Sequence, residues 1–312
     1  MKCLIIDKVH ESIGEEFCKY MEVETHLLPS QDELAAMIPD VDLLVMRVNP
    51  HIDRTILDAA KNLKAIGVCS VGTDHIDMEY AEEKGIKIYN APGMNANAVA
   101  ELTFSKMIDL SRHVMPAHRD VTVNHEWDKY KFFGRELRDH TLGILGFGRI
   151  GRRMCEMAKV FQMKVIAYDP FLRLGDFEAA GARGYYCDEL LETADYISIH
   201  MPLTEENENL ICAETIKTMK NDCIVLNMSR GGIVNEQDMY EALKNGEIGG
   251  YGCDVMATEL EGGFAGHGGI QSPLFELDNF IVTPHLGAQT SNAFKDIAEM
   301  VIREVKKEFN LK

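Results

Sequence analysis

Gly146-Phe147-Gly148-Arg149-Ile150-Gly151 constrains the fold of this chain more than any other segment. Three glycines at this spacing suit a strand that turns sharply into a helix: the first makes the turn, the second lets backbone approach a ligand, and the third lets helix and strand pack closely. The flanks agree. Thr141-Leu-Gly-Ile-Leu145 reads as a buried strand, Arg149 to Phe161 as a helix, and Lys164-Val-Ile-Ala-Tyr168 as a second strand, with Asp169 eighteen residues past Gly151. A βαβ unit of this kind holds a dinucleotide pyrophosphate at the helix N-terminus, and an acid at the tip of the second strand accepts from ribose hydroxyls. A glycine-rich turn without a ligand is the competing reading.

The chain has 312 residues, 46% of them apolar, enough for two domains with their own cores. Apolar runs fall short of the roughly 20 residues needed to span a bilayer, and Met1 to Asp7 is too short for a secretory leader, so a cytoplasmic protein is expected. The eight cysteines are scattered, with neither CxxC pairs nor metal-ligand spacing; reduced, mostly buried thiols and no metal are expected. A net charge of −18 argues against nucleic acid or an anionic membrane as partner. An anionic small molecule remains compatible, because a few local arginines suffice to bind one.

Short β-like runs recur every 20 or so residues with helical patterns between them, as in βαβ units around a parallel sheet. Strands are expected at Cys3 to Ile6, Leu43 to Met46, Ala65 to Val68 and Lys87 to Tyr89. A second set is expected at Ile144 to Leu145, Val165 to Tyr168, Tyr196 to Ile199, Ile224 to Asn227, Gly250 to Cys253 and Phe280 to Val282. Between the sets, Ala98 to Met115 reads as a long buried helix closed by Pro116, and a last helix is expected over Gln289 to Phe309. Trp127, Tyr130, Phe132 and Phe133 form an aromatic arm that suits either core packing or a subunit contact.

Three more segments carry chemistry. Arg230 follows the apolar strand ending at Asn227, and ligands of open α/β sheets bind at such carboxyl ends. Its guanidinium suits a substrate carboxylate and would polarise an adjacent carbonyl; a surface ion pair is the plain alternative. Asp254 and Glu259 lie past another strand, and His285 past a third. Hydride transfer at a carbonyl carbon also moves a proton at oxygen, for which histidine is the usual carrier, and a carboxylate partner stabilises the imidazolium. Whether Glu259 touches His285 or is merely solvated stays open at this level.

Together these pieces resemble the D-isomer-specific 2-hydroxyacid dehydrogenases over nearly the whole chain. The resemblance rests on Gly72-Thr-Asp-His-Ile-Asp77, Asn90-Ala-Pro-Gly93 with Val99-Ala-Glu-Leu102, the Gly146 loop with Asp169, His200-Met-Pro-Leu-Thr204, Asn227 to Gly231, Asp254 through Glu259, and Thr283 to Gly287. It implies two doubly wound parallel-sheet α/β domains with a cleft between them. One is a flavodoxin-like substrate domain (1–97 plus 287–312) to which the last helix returns; the other is a Rossmann NAD-binding domain (98–286). It implies a catalytic set of Arg230, Glu259 and His285. For NAD it implies Gly146, Gly148, Arg149, Ile150, Gly151, Asp169, Met201, Met228, Asp254 (beside the nicotinamide carboxamide), His285 and Gly287. For the substrate it implies Arg47, Ser70, Val71, Gly72 and Arg230, and for assembly a homodimer built on the nucleotide domain.

Asp169 favours NAD over its 2′-phosphorylated form by repulsion, although Arg173 stands nearby. Thr283 to Thr290 and Arg47 look like the phosphoglycerate dehydrogenase branch, with Val68 where that branch often has a second arginine; with the sequence ending at Lys312, its regulatory domain is not expected. Hydroxypyruvate is a related candidate substrate. The alternatives are a D-lactate or 2-hydroxyisocaproate type reductase, a non-enzymatic NAD(H)-sensing corepressor-like dimer, and a formate dehydrogenase, whose resemblance would place glutamine where Glu259 stands. The glycine-rich stretch Glu261 to Gly269, with His267, is either a plain surface loop or part of the pocket mouth.

Overall fold

In a computed structural model, which describes residues 1–258 and 270–312, the chain forms two compact units. The first comprises Met1–Asn95 and Ala288–Lys312; the described residues of the second are 96–258 and 270–287.

In the first unit the elements run β1 (Lys2–Ile5), α1 (Ser12–Phe17), β2 (Glu22–Thr25), α2 (Gln31–Met37), β3 (Leu43–Met46), α3 (Arg54–Ala59), β4 (Ala65–Val68), α4 (Met78–Glu83) and β5 (Lys87–Tyr89). The sheet is parallel, in the order β2-β1-β3-β4-β5 of flavodoxin-like folds. β2 escapes a reading of apolar runs because Glu22, Glu24 and Thr25 on this edge strand are exposed. β3 and β4 are buried on both faces, as the continuous apolar runs Leu-Leu-Val-Met and Ala-Ile-Gly-Val require.

The second unit continues with α5 (Ala96–Arg112), α6 (Val114–Arg119), β6 (Thr141–Leu145), α7 (Arg149–Val160), β7 (Lys164–Tyr168), α8 (Leu174–Ala180), β8 (Arg183–Gly184), α9 (Cys187–Thr193), β9 (Tyr196–Ile199), α10 (Ala213–Ile216), β10 (Ile224–Asn227), α11 (Glu236–Asn245), β11 (Gly250–Cys253) and β12 (Phe280–Val282). Its parallel order is β12-β11-β10-β9-β6-β7-β8. The chain runs outward from β6 to β8, then returns to the other side of β6 as β9, which makes the β6/β9 boundary the topological switch point. Two cores cover the faces, one including Phe104, Leu142, Phe147 and Met154, the other Leu145, Ile199, Val225 and Tyr251.

One expectation is corrected, and one open alternative is narrowed. Pro116 does not close the long helix: α5 ends at Arg112, His113 takes the left-handed conformation at φ 55°, and α6 then accommodates Pro116 in its first turn, where a missing N–H costs nothing. The aromatic arm is not core, since Trp127, Tyr130 and Phe133 are 88%, 82% and 94% exposed and Phe132 is half-buried. The last helix, α12 (Ser291–Glu308), belongs to the first unit, where Val301 and Val305 lie against Gly67 of β4. None of the described helices is long and apolar enough to cross a membrane.

Candidate active site

A single register row runs across the second sheet: Tyr168, Leu145, Ile199, Asn227, Cys253 and Val282 are successive neighbours on β7, β6, β9, β10, β11 and β12. One step beyond it, at the carboxyl edge, come Asp169, Gly146, His200, Met228, Asp254 and Thr283. Loops scattered over more than a hundred residues of sequence are thereby gathered along one edge.

At the switch point the three glycines have separable roles. Gly146 has φ +90°, and a Cβ there would fall 2.8–2.9 Å from the His200 and Met201 backbone. At Gly151 it would lie 2.3 Å from the Gly146 carbonyl oxygen, so a side chain would push α7 off β6. At Gly148 it would meet nothing within 4 Å. Internal packing thus accounts for the first and third glycines but not the second, whose bare backbone leaves room for a ligand. Gly148 is also the N-cap of α7 and offers its first turn no side-chain acceptor, so the N–H groups of Arg149, Ile150 and Gly151 stay available to a phosphate. Asp169 faces this cradle: Oδ2 accepts from Phe147 N–H at 2.9 Å and Oδ1 from Phe171 N–H at 3.0 Å. Each oxygen keeps a lone pair for a ribose hydroxyl. These residues fit a dinucleotide.

Met201 and Met228 are buried beyond β9 and β10. His200, whose motif but not whose ring the sequence points to, is bonded through Nε2 to Ser198 Oγ at 2.7 Å; burial pushes its pKa down to about 3 and keeps it neutral.

Past β10, buried Asn227 shapes the turn bearing Arg230, with Oδ1 accepting from Ser229 N–H and Oγ–H and Nδ2 donating to the Arg230 carbonyl at 2.7 Å. The Arg230 guanidinium, half-buried, donates to the Ser229 carbonyl at 2.8 Å. Gly231 is required because a Cβ would strike the Met256–Ala257 backbone at 2.4–2.5 Å, so this turn lies directly against the segment leading to residue 259. Glu236, in the first turn of α11, accepts from Ala257 N–H at 2.7 Å and ties that segment from the other side; burial raises its pKa. Glu259 itself, and the 261–269 stretch with His267, lie outside the described residues.

Asp254, 3% exposed, clasps the turn that carries His285. Oδ1 accepts from Leu286 N–H at 2.8 Å and from the Thr283 hydroxyl, Oδ2 from Gly287 N–H at 2.7 Å, and its carbonyl from His285 N–H at 3.0 Å. His285 is half-buried with φ +51°, a conformation that persists in a non-glycine residue only when its surroundings impose it. Motif reading offered Asp254 as a cofactor contact; its work as a clasp has no signature in the sequence.

Within the first unit, the loops after β1, β3 and β4 share the carboxyl edge. Asp7 Oδ2 accepts from Arg47 and Val48 N–H at 3.1 and 3.0 Å, and the Arg47 guanidinium lies over the Phe294 ring at 5.2 Å and donates to the Gln289 amide oxygen at 3.0 and 3.2 Å. Ser70 Oγ donates to the Gly72 carbonyl at 2.7 Å, and Asn90 Nδ2 to that of Val71 at 2.6 Å. These bonds occupy carbonyls of the 70–72 loop and fix its shape.

Residues 104–287 match the family model described as D-isomer specific 2-hydroxyacid dehydrogenase, NAD binding domain. The chain is 38% identical over 308 residues to the D-3-phosphoglycerate dehydrogenase of Methanocaldococcus jannaschii, covering 98% of this chain and 57% of that protein, so it spans little more than half of that relative. It is 37% identical over 281 residues to the hydroxypyruvate reductase of Thermotoga maritima, covering 90% of this chain and 89% of that one. Among solved structures, D-lactate dehydrogenase from Aquifex aeolicus with NAD and lactic acid superposes with a TM-score of 0.86 at 28% identity, covering 99% of this chain and 96% of that one. With the switch-point cradle, the two parallel sheets and these likenesses together, the chain belongs to the D-isomer-specific 2-hydroxyacid dehydrogenase family, whose NAD-binding domain its second unit supplies.

Proposed function

We propose that the protein is an NAD-dependent 2-hydroxyacid oxidoreductase that interconverts a small 2-oxo acid and the D-2-hydroxy acid. The observation that carries this reading is the register row, which sets the Gly146 cradle, Arg230, Asp254 and the His285 turn along one sheet edge. Bound NADH supplies the hydride to the carbonyl carbon. Arg230 grips the substrate carboxylate and stabilises negative charge developing on the carbonyl oxygen. His285, protonated, gives that oxygen its proton, and in the oxidative direction takes it back. Glu259 stabilises the imidazolium and, when the ring is neutral, holds it in the productive tautomer. From the first unit, Arg47 and the backbone of Ser70, Val71 and Gly72 contribute to the substrate. Gly146, Gly148, Arg149, Ile150, Gly151, Asp169, Met201, Met228, Asp254, His285 and Gly287 hold the cofactor.

A phosphohydroxypyruvate or hydroxypyruvate type of substrate ranks first, supported by the relatives that act under those names and by the cation at Arg47. The eight thiols, all unpaired, support a reducing, cytoplasmic setting, and net charge −18 supports a partner list without nucleic acid. A homodimer through the second unit is supported by the exposed aromatic arm and by a neighbouring groove of about 580 Å³ that includes Ile108, Val114, Ala117 and Val121.

The test is NADH oxidation across a panel of 2-oxo acids: 3-phosphohydroxypyruvate, hydroxypyruvate, pyruvate, glyoxylate and branched or aromatic members. Turnover on at least one, with NADH strongly preferred to NADPH, is expected. Binding of NADH without turnover on any would replace this reading with a redox-sensing protein.

A further inference from the structure

Helix α5 carries a lysine where its neighbours call for an apolar residue. Lys106 lies between Phe104 and Met107, on the helix face packed on β10, β11 and β12, and is 2% exposed. Its Cβ would stand 3.3 Å from a Cβ on Gly252, so the side chain enters the unit directly over β11. Among the described residues Nζ has no hydrogen-bond partner. A long helical side chain leans back toward the helix N-terminus. That direction leads to Val99, about two turns and ~10 Å away on the same face. Val99 borders Gly287, where a Cβ would meet Val99 Cγ2 at 3.1 Å and Asp254 Oδ2 at 3.2 Å. Along β11, Asp254 is two residues beyond Gly252, about 7 Å. The lysine stem therefore leans toward the side of β11 that carries the buried Asp254 carboxylate, without closing to ion-pair distance.

Among the described residues, the titratable groups that act on Lys106 are Asp254, Asp109 on its own helix, and the Cys253 thiol at the end of β11, which burial keeps neutral. Burial lowers the amine's pKa and the Asp254 carboxylate opposes that shift. A carboxylate enclosed at 3% exposure, even with its hydrogen bonds made, carries a desolvation penalty that a nearby cation offsets. Thr283, Leu286 and Gly287 supply dipoles to that carboxylate, and Lys106 is the buried cation that acts on it through the interior.

We infer that Lys106 is a positioning residue: its ammonium is the internal counter-charge of Asp254, and through Asp254 it holds the His285 turn in the strained conformation that proton transfer uses. Its effect on turnover rests on the function proposed above, whereas its effect on the clasp does not.

Stability is therefore measured first, in a cycle of Lys106→Met, Asp254→Asn and the double variant. Lys106→Met keeps most of the side-chain volume and removes the charge, and is expected to lower the Tm by about 5 °C or more in the otherwise native chain. In the Asp254→Asn background the same change should cost less than half as much. Equal losses in both backgrounds would overturn the pairing. Should Asp254→Asn fail to fold, kinetics decide, because Lys106→Arg keeps the charge that Lys106→Met removes. Lys106→Met is expected to reduce kcat at least tenfold with KM and NADH affinity within twofold, and Lys106→Arg to recover most of the loss. An unchanged kcat in the methionine variant, or equal losses in both variants, refutes the inference. Failure of the native enzyme on every 2-oxo acid refutes the proposed function and leaves the stability cycle standing.

Discussion

At the scale of single residues, the site combines side chains that act with side chains that are held. His285 is expected to move a proton, so His285→Ala should lower kcat by about 10²–10⁴-fold, the usual worth of a placed acid/base, with NADH affinity unchanged. Ordinary turnover in that variant would remove the role. Arg230→Lys keeps the charge but loses the two-pronged geometry, and a rise in substrate KM of about tenfold or more is expected from steady-state kinetics. His200 belongs to the other class. Buried and neutral, its pKa pushed down to about 3 against about 6.5 in the unfolded chain, it binds a proton more readily unfolded than folded. Its contribution is complete above pH 6.5 and is lost progressively as the pH falls toward 3. Thermal unfolding followed across that window should show a steeper acid loss in the native chain than in His200→Asn, and identical slopes would mean that the imidazole does not report the folded state.

Elements matter through the spaces that glycine leaves. β4 meets the last helix at Gly67, where a Cβ would lie 2.9 Å from Val301 Cγ1 and 3.6 Å from Val305. Gly67→Ala should therefore force α12 outward and cost about 1–3 kcal/mol, read as a lower denaturant midpoint at unchanged m-value. A midpoint equal to that of the native chain would show that the helix yields freely. The glycines of the nucleotide turn divide in the same way. Gly146 and Gly151 are demanded by backbone atoms of the fold itself, while Gly148 borders open space that the fold leaves unfilled.

For the whole molecule, a largely uncovered aromatic surface is the arm between α6 and β6, which keeps Trp127, Tyr130 and Phe133 almost fully exposed. Replacing Trp127 and Phe133 by serine should convert the proposed homodimer to a monomer, measured by light scattering on the eluting species. A native chain that elutes as a monomer, or a variant that stays dimeric, would rule out the arm as the contact.

Much of this could be read from residue order alone, because hydrophobic runs, glycine spacing and strand-end polar residues are local signals. β3, β4, β9, β10 and β11 have the expected bounds, the Gly146 turn falls between the expected strand and helix, and Arg230 and His285 follow their strands. What stayed hidden is of three physical kinds. β2 is an exposed edge strand with no apolar run to announce it. Pro116 stops a helix only in its interior, and the break at His113 puts it in a first turn instead. The clasp of Asp254 on residues 283–287, and the close approach of Lys106 to Gly252 of β11, join positions far apart in the chain. Register across a parallel sheet and the lean of a helical side chain create such neighbours, and both arise from packing in three dimensions, so no spacing along the chain encodes them.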